Sequence, residues 1–527
     1  MEKKKKEIKK TGVNSKNKKT KLSNKKNDKK CFDLNKIWSL LFLLIFGWIF
    51  SICLMDGNYK FNPLAVIIAM VILVISSVCL YKKLGNRFKD MTNKSTWIFY
   101  GVTVAIMITF QGIIAYYLRL NPGYDLGNVV QSAKEMLEYG HSTTMSGYYI
   151  QAPNNILITF MIAASMRFFW LFHITDDIFA MSVANIILIQ IAVFFLFDLA
   201  RRVYNNFTAC FVLVLMFLFL PIYPYTTLMY TDTTSMFLPI GFLWLIERLN
   251  SLNTKKSMII ISLIIGLFTF ISLNLKVTAL IVLIAYAIHE LIDKNIKKLA
   301  TIGLIALCSF SVLEVGYTTY IKKTGVIGID YKYTKEIPFT HFIMMGMYKS
   351  GAFDAEEWQF TLKLPDRKTR QKEHIKVIKR RLNNYGPQGY IKFLNNKVKG
   401  QTWGTGTYDF EYNVDTFPVE INEFHDYFLA TGKNFNIVYY YCQYYHFTMI
   451  FLILVSTFFS IYKNDKNKYA SMGRLSIFGI LVFLLIWETR SRYLLNFMPV
   501  LIFVMLNGII RLSENSDKIK EKLFYKD

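Results

Sequence analysis

Runs of roughly 17–25 apolar residues recur along most of this chain, each long enough to cross a hydrocarbon core about 30 Å thick as a helix. They lie at 37–55, 62–82, 96–118, 179–200, 208–225, 231–248, 257–275, 277–293, 299–321, 438–462, 472–488 and 493–511. A further apolar stretch occupies 154–173. Inside lipid a spanning segment must satisfy its own backbone hydrogen bonds, so runs of this length and number are expected as helices. The predicted fold is therefore an all-α polytopic membrane protein of about 12–13 transmembrane helices. Composition agrees, since 53% of the 527 residues are hydrophobic and only 19% are charged, against a usual quarter charged.

Flanking charges set the expected orientation. The first thirty residues carry 14 lysines against three acids and no apolar periodicity, so a disordered basic tail is expected over 1–35. The first apolar run is followed by Met55-Asp56-Gly57, not a small-residue cleavage site, and reads as an uncleaved helix. Lysine and arginine favour the cytoplasmic side. If 154–200 crosses once in net, then Lys82, Lys83, Arg201, Arg202, Arg248, the loop at 463–468 and the C-terminal lysines all fall inside. A full span at 154–173 would invert every later one, so that stretch is expected to re-enter or lie at the interface, leaving twelve full spans. Both termini are then cytoplasmic, and segments 119–153, 221–233 and 322–437 lie outside. The expected division is a transmembrane core at 36–321, an extracytoplasmic loop domain at 322–437, C-terminal helices at 438–512 and a tail at 513–527.

The net charge of +26 does not point to nucleic acid, because outside the tail it is scattered between apolar runs. The six cysteines show no CxxC spacing, so neither a disulfide framework nor a zinc site is expected. No P-loop, dinucleotide-binding, zinc-protease or nucleophile-elbow motif occurs. His141, His341, His374 and His425 are scattered through the outer segments, where structural or surface roles are expected.

Titratable residues gather on the outer face instead. Asp125 opens a stretch whose spacing over 127–138 predicts an amphipathic helix along the interface, with Lys134 on it. Asp232 opens an apolar helix. A helix cap explains either acid cheaply; brought together, the two would make an acid/base or metal pair. Lys276 divides two apolar runs, and Arg490 and Arg492 open the last helix. Snorkelling and an i,i+4 pair between Glu488 and Arg492 are the plain readings. Three cations at outer headgroup depth run against the inside preference and favour anion binding, to which arginine's planar fork is suited. Glu314 falls within a span, where an acid is costly and either serves function or pairs with a neighbouring helix. In the Gly-rich aromatic stretch 401–415, Trp403, Tyr408 and Tyr412 either stack on a sugar ring or pack the loop.

In this order the pieces resemble the GT-C superfamily of membrane glycosyltransferases, in particular bacterial relatives of protein mannosyltransferases and of the aminoarabinose transferase. The resemblance covers about 96–320 and 486–505. It rests on Tyr124-Asp125 with Ala133 and Tyr139-Gly140, on Pro153-Asn154-Asn155, on Pro221, Pro224 and Asp232, on Leu275-Lys276, and on Arg492-Tyr493-Leu494 with Pro499. It implies a GT-C-like fold and a sugar donor linked to polyprenyl phosphate. It also implies inverting transfer, outside the cell, to an envelope acceptor such as a glycopolymer, teichoic acid or glycolipid. By this resemblance Asp125 is the general base, and Asp232 positions acceptor or metal. Lys134, Lys276, Arg490 and Arg492 neutralise the leaving phosphate. Asn154 and Asn155, with Trp403 and Tyr408, are the expected acceptor or sugar contacts. A single acid stands where oligosaccharyltransferases carry a DxD-like pair, so no obligate metal is implied and a divalent cation stays open. Membrane lipid is an expected partner; nucleic acid is not. Two other readings stay open, a polymerase and a flippase or carrier of lipid-linked saccharides. Carriers usually show matched internal repeats, which this sequence lacks.

Overall fold

The computed structural model describes residues 34–55, 61–142, 146–252, 254–328, 336–462 and 467–524. The basic tail expected over 1–35 lies outside them except for its last two residues. Among the described residues no strand forms, and nine helices are long and apolar enough to cross a membrane. The protein is the expected polytopic helical bundle.

The longer helices are numbered in chain order. The bundle begins with α1 (Leu34–Met55), α2 (Pro63–Arg87) and α3 (Asn93–Tyr117). Then come α4 (Tyr124–Tyr139), α5 (Ile156–Trp170), α6 (Asp177–Val203), α7 (Asn206–Phe217), α8 (Phe237–Ser251) and α9 (Lys255–Leu275). The chain continues through α10 (Ile281–Ile292), α11 (Ile296–Thr324) and α12 (Arg367–Lys397), and ends with α13 (Phe435–Tyr462), α14 (Lys468–Ile486) and α15 (Met498–Phe524). Side chains define the starts: Asn62 accepts from Leu64 N with Pro63 in the first turn, and Thr92 from Ser95 N. Each satisfies an amide that has no helical partner. All twelve expected runs correspond to helices, but α8 and α10 are shorter than a full crossing, and α7 meets the turns at Leu220–Thr227 at 69°. Within the expected loop domain, α12 carries the basic stretch, kinked where Gly386 precedes Pro387.

The stretch at 154–173 forms a helix of fifteen residues, Ile156–Trp170, shorter than a full crossing. Arg119, just after α3, pairs with Asp176, just before α6, at 2.7 Å. The chain therefore leaves α3 and enters α6 at one end of the bundle, with α4 and the fifteen-residue α5 between. The apolar side of α4 (Leu126, Val129, Val130, Ala133) is buried with Ile156, Ile158 and Ile162 of α5, making a small second core. The opposite end is basic: Lys82 reaches Ser516 (3.2 Å), Lys298 reaches Asn250 (2.6 Å), and Arg201 and Arg202 pair with Asp198.

At the bundle centre residues 498–510 of α15 are buried throughout, while α2 and α11 leave Ile68, Ile72, Ile75, Leu304, Leu307 and Val315 exposed, as lipid-facing helices should. Gly508 lets α15 approach α13 so closely that a Cβ there would fall 2.1 Å from the Leu452 carbonyl oxygen, a small-residue contact of the kind membrane helices use.

Candidate functional site

At the end opposite the basic residues, three distant segments meet around Asp232. This residue stands in the short helix Thr231–Thr234 ahead of α8, and its side chain is 6% exposed. Lys276 Nζ donates to Asp232 Oδ1 at 2.6 Å, and Arg492 Nε lies 3.5 Å from Oδ2. Lys276 ends α9 in an extended conformation before the chain turns back into α10. Its ammonium is thus spent inside the bundle rather than at the surface. Arg492 Nε is buried with no hydrogen-bond partner among the described residues, since 3.5 Å is long for one. Both cations lie over the ring of Tyr493, at 4.3 Å for Lys276 Nζ and 5.7 Å for the Arg492 guanidinium carbon. The Tyr493 hydroxyl donates to Glu488 Oε2 at 2.9 Å. Burial pushes the Glu488 carboxyl up, with Tyr493 and Arg492 opposing.

The segment that presents the arginines is fastened from the stretch 342–397. Glu488 N donates to Phe342 O and Thr489 N to Gly351 O, each at 2.9 Å. Lys397 at the end of α12 is buried and donates to the carbonyls of Gly346 (2.7 Å), Leu485 (3.0 Å) and Trp487 (2.7 Å). Burial lowers its ammonium to about 7, with Glu488 opposing. Gly346 is required there: a Cβ would sit 2.5 Å from the Trp487 carbonyl carbon.

Asp125 lies in the first turn of α4 and is exposed. It accepts from the Tyr148 hydroxyl at 3.0 Å. Asn155 Nδ2 donates in turn to the Tyr148 oxygen, and the Tyr230 hydroxyl reaches Asn155 Oδ1 at 3.4 Å. Burial raises the Tyr148 phenol far above its ordinary value, so it stays a donor. Tyr230 sits between the field of Asp125 and that of the Arg492–Asp232 pair. The hydrogen-bonded run from Asp125 thus passes through Tyr148 and Asn155 to Tyr230, two residues before Asp232. Neither acid caps its helix, because the N-cap positions are Gly123 and Tyr230 and no side chain caps either.

Several expected residues fall elsewhere. Lys134 does not join the cations; it pairs with Asp177 at 2.9 Å, since its side of α4 faces the start of α6. Trp403 and Tyr408 are 1% exposed and cannot face an acceptor from the surface. Trp403 packs edge-on against Phe46 at 5.0 Å, and the Tyr408 hydroxyl bonds His446 Nδ1 at 2.7 Å. Asn155 is buried within the link described above, and Asn154 is exposed beside it, donating to it at 3.2 Å. Arg490 lies over the exposed ring of Tyr412 at 5.4 Å. Glu314 accepts from Asn274 of α9 at 2.9 Å, the helix-pairing alternative. Among the described residues no three His, Cys, Asp or Glu side chains come together as a metal would need.

Tyr148, Tyr230 and Lys397 were not singled out in the sequence, where each is one tyrosine or lysine among many. Three residues beside the site, Tyr124, Tyr408 and Asp409, hold positive φ (49°, 56° and 62°) without being glycine. Backbone strain of this kind gathers at functional sites, and no local sequence signal marks it.

A family model described as "Conserved hypothetical integral membrane protein" matches residues 28–510. Among solved structures, that of ArnT from Cupriavidus metallidurans bound to undecaprenyl phosphate is similar at 10% identity, covering 82% of this chain and 81% of that one, with a TM-score of 0.34. No curated protein matches.

Proposed function

The chain belongs to the conserved hypothetical integral membrane protein family, and for it we propose a glycosyltransferase activity of GT-C type. A sugar carried on polyprenyl phosphate is transferred, on the extracytoplasmic side, to a hydroxyl of an envelope glycopolymer or glycolipid. The observation that carries this reading is the convergence of Lys276 and Arg492 on Asp232, with a buried Arg492 Nε–H to spare. Cations held in a partly dry site stabilise negative charge as it develops on a leaving phosphate. Arg490, over Tyr412 at the rim, completes that group.

In the proposed step the acceptor oxygen attacks the anomeric carbon while the bond from that carbon to the phosphate oxygen breaks with inversion. Asp125, exposed and oriented by Tyr148, takes the acceptor proton. Asp232 positions Lys276 and Arg492. Lys134 has no part in this scheme. Incubation of the purified chain with a polyprenyl monophosphate sugar, and separately with a polyprenyl pyrophosphate sugar, tests the reading. Turnover of the monophosphate donor supports it. Exclusive use of the pyrophosphate donor would favour the polymerase reading instead.

A further inference from the structure

The helix α12 carries two kinds of cation on two sides. On the inner side Arg370 donates to the carbonyls of Leu364 (3.2 Å) and Glu336 (3.3 Å). Arg381 holds the Glu357 carboxylate through bonds of 2.9 and 2.6 Å, and His374 meets the hydroxyls of Thr340 and Thr361. This side therefore packs on the short helices Phe339–Met345 and Ala355–Leu362. Both arginines there have structural partners.

The outer side carries Lys368, Lys372, Lys376, Lys379 and Arg380, all exposed. At 3.6 residues per turn they share about a third of the helix circumference and extend along about 18 Å of its axis. Among the described residues only Lys376 of the five pairs with an acid, Glu373 at 2.7 Å. Lys368–Lys372, Lys372–Lys376 and Lys376–Arg380 stand four residues apart, where like charges repel and weaken a helix. Packing does not call for them, because they face away from the protein. An aligned row of like charge that weakens its own helix is suited to a partner of the opposite sign.

The geometry also selects among anionic partners. A helix that lies on a membrane sinks an apolar face into the acyl boundary, and the inner face of α12 is already taken up by the protein. A narrow row with a cation at each turn suits a linear polyanion. At its far end α12 reaches the candidate site: Lys397 Nζ donates to the carbonyls of Leu485 and Trp487, just ahead of Arg490 and Arg492. One helix, kinked at Gly386, thus joins the cationic row to the segment that presents the arginines.

We propose that the exposed face of α12 binds an anionic glycopolymer, a chain with a negative group at each repeat. That this polymer is the acceptor rests on the functional reading above; the binding itself does not, and the test separates the two.

Lysine acylation of the purified full-length protein, read residue by residue by mass spectrometry, reports binding locally. It thereby distinguishes α12 from the lysine-rich first thirty residues. Poly(glycerol phosphate) is the probe, and dextran the uncharged comparison. The polymer is expected to slow acylation of Lys368, Lys372 and Lys379 at least about fivefold, and to lose this effect in about 1 M salt, where charges are screened. Dextran should have no effect. Lys349 and Lys433, exposed but paired with acids, should react as before. In the triple variant Lys368→Gln, Lys379→Gln, Arg380→Gln, protection of Lys372 should disappear while the melting temperature holds or rises, since repulsion is relieved. Protection of Lys372 that survives in this variant, or equal slowing at Lys349 and Lys433, overturns the proposal. Slowing by a phosphatidylglycerol bilayer relative to phosphatidylcholine, with none from the polymer, also overturns it and assigns the face to a membrane. Protection by the polymer without sugar transfer to it supports the binding face and counts against the functional reading alone.

Discussion

Lys276 and Asp232 lie 44 residues apart in the chain, and their side chains meet at 2.6 Å where α9 ends beside the turn ahead of α8. Both are mostly buried, so each needs the other: a buried charge stripped of its partner is costly, whereas removing both partners costs less. Lys276→Met should therefore destabilise the protein by about 3 kcal/mol. Asp232→Asn combined with Lys276→Met should cost less than the sum of the single changes. Thermal unfolding of the purified variants measures this, and strict additivity would show that the pair is not coupled.

Asp125 is exposed and caps nothing, so Asp125→Asn should leave the melting temperature almost unchanged. If Asp125 takes the acceptor proton, transfer should fall at least ~100-fold. Tyr148→Phe removes the hydroxyl that orients that carboxylate, and a loss of about tenfold is expected from one hydrogen bond to a charged group. Retention of full transfer by Asp125→Asn would remove the assignment of the base.

The segment 336–402 should be acid-sensitive through two histidines. His341 Nδ1 meets Thr361 Oγ1 at 2.7 Å, and the same hydroxyl meets His374 Nε2 at 2.9 Å. Burial lowers His341 to about 3, helped by His374 and Arg370, and lowers His374 to about 4, helped by Arg370. Both lie below the ordinary 6.5, so between 6.5 and about 4 the unfolded loop binds protons that the folded loop refuses. The stability these histidines contribute is present above 6.5 and is lost as pH falls, by about 3 kcal/mol for His374 and about 5 kcal/mol for His341 at the acid end. Hydrogen exchange over 336–402 should accelerate across that window, and His374→Gln should flatten the dependence. An exchange rate independent of pH, after correction for intrinsic chemistry, would contradict it.

The pairing of Arg119 with Asp176 predicts topology. Single cysteines in place of Asn121 and His173 should react with a membrane-impermeant thiol reagent from the same side. A tag at the C-terminus should be reachable only from the other side. Labelling of the two cysteines from opposite sides would make α5 a true span.

Much of this site was legible as charge out of place. Lys276, Arg490 and Arg492 stood out because cations on the side expected to be outer need a reason, and Lys276 and Arg492 do converge on Asp232. Lys134 had the same charge and the same expected side, yet it pairs with Asp177, because a helix's rotation about its axis decides which neighbour a residue meets. The aromatic stretch 401–415 invited a binding surface, but Trp403 and Tyr408 turn inward to hold a strained turn. Whether a ring stacks on a ligand or fills a core depends on what lies opposite it, and that is set by α1 and α13.

By itself the sequence determined the bundle of apolar helices and the gathering of basic residues at their ends. These follow from hydrophobic length and from charge at the membrane boundary, both additive properties of neighbouring residues. The partner of each charged group was decided only when the helices packed, because that depends on rotation, kinks and backbone strain contributed by segments hundreds of residues away. Lys134 is the clearest case: the sequence groups it with the other cations, and the fold turns it to Asp177.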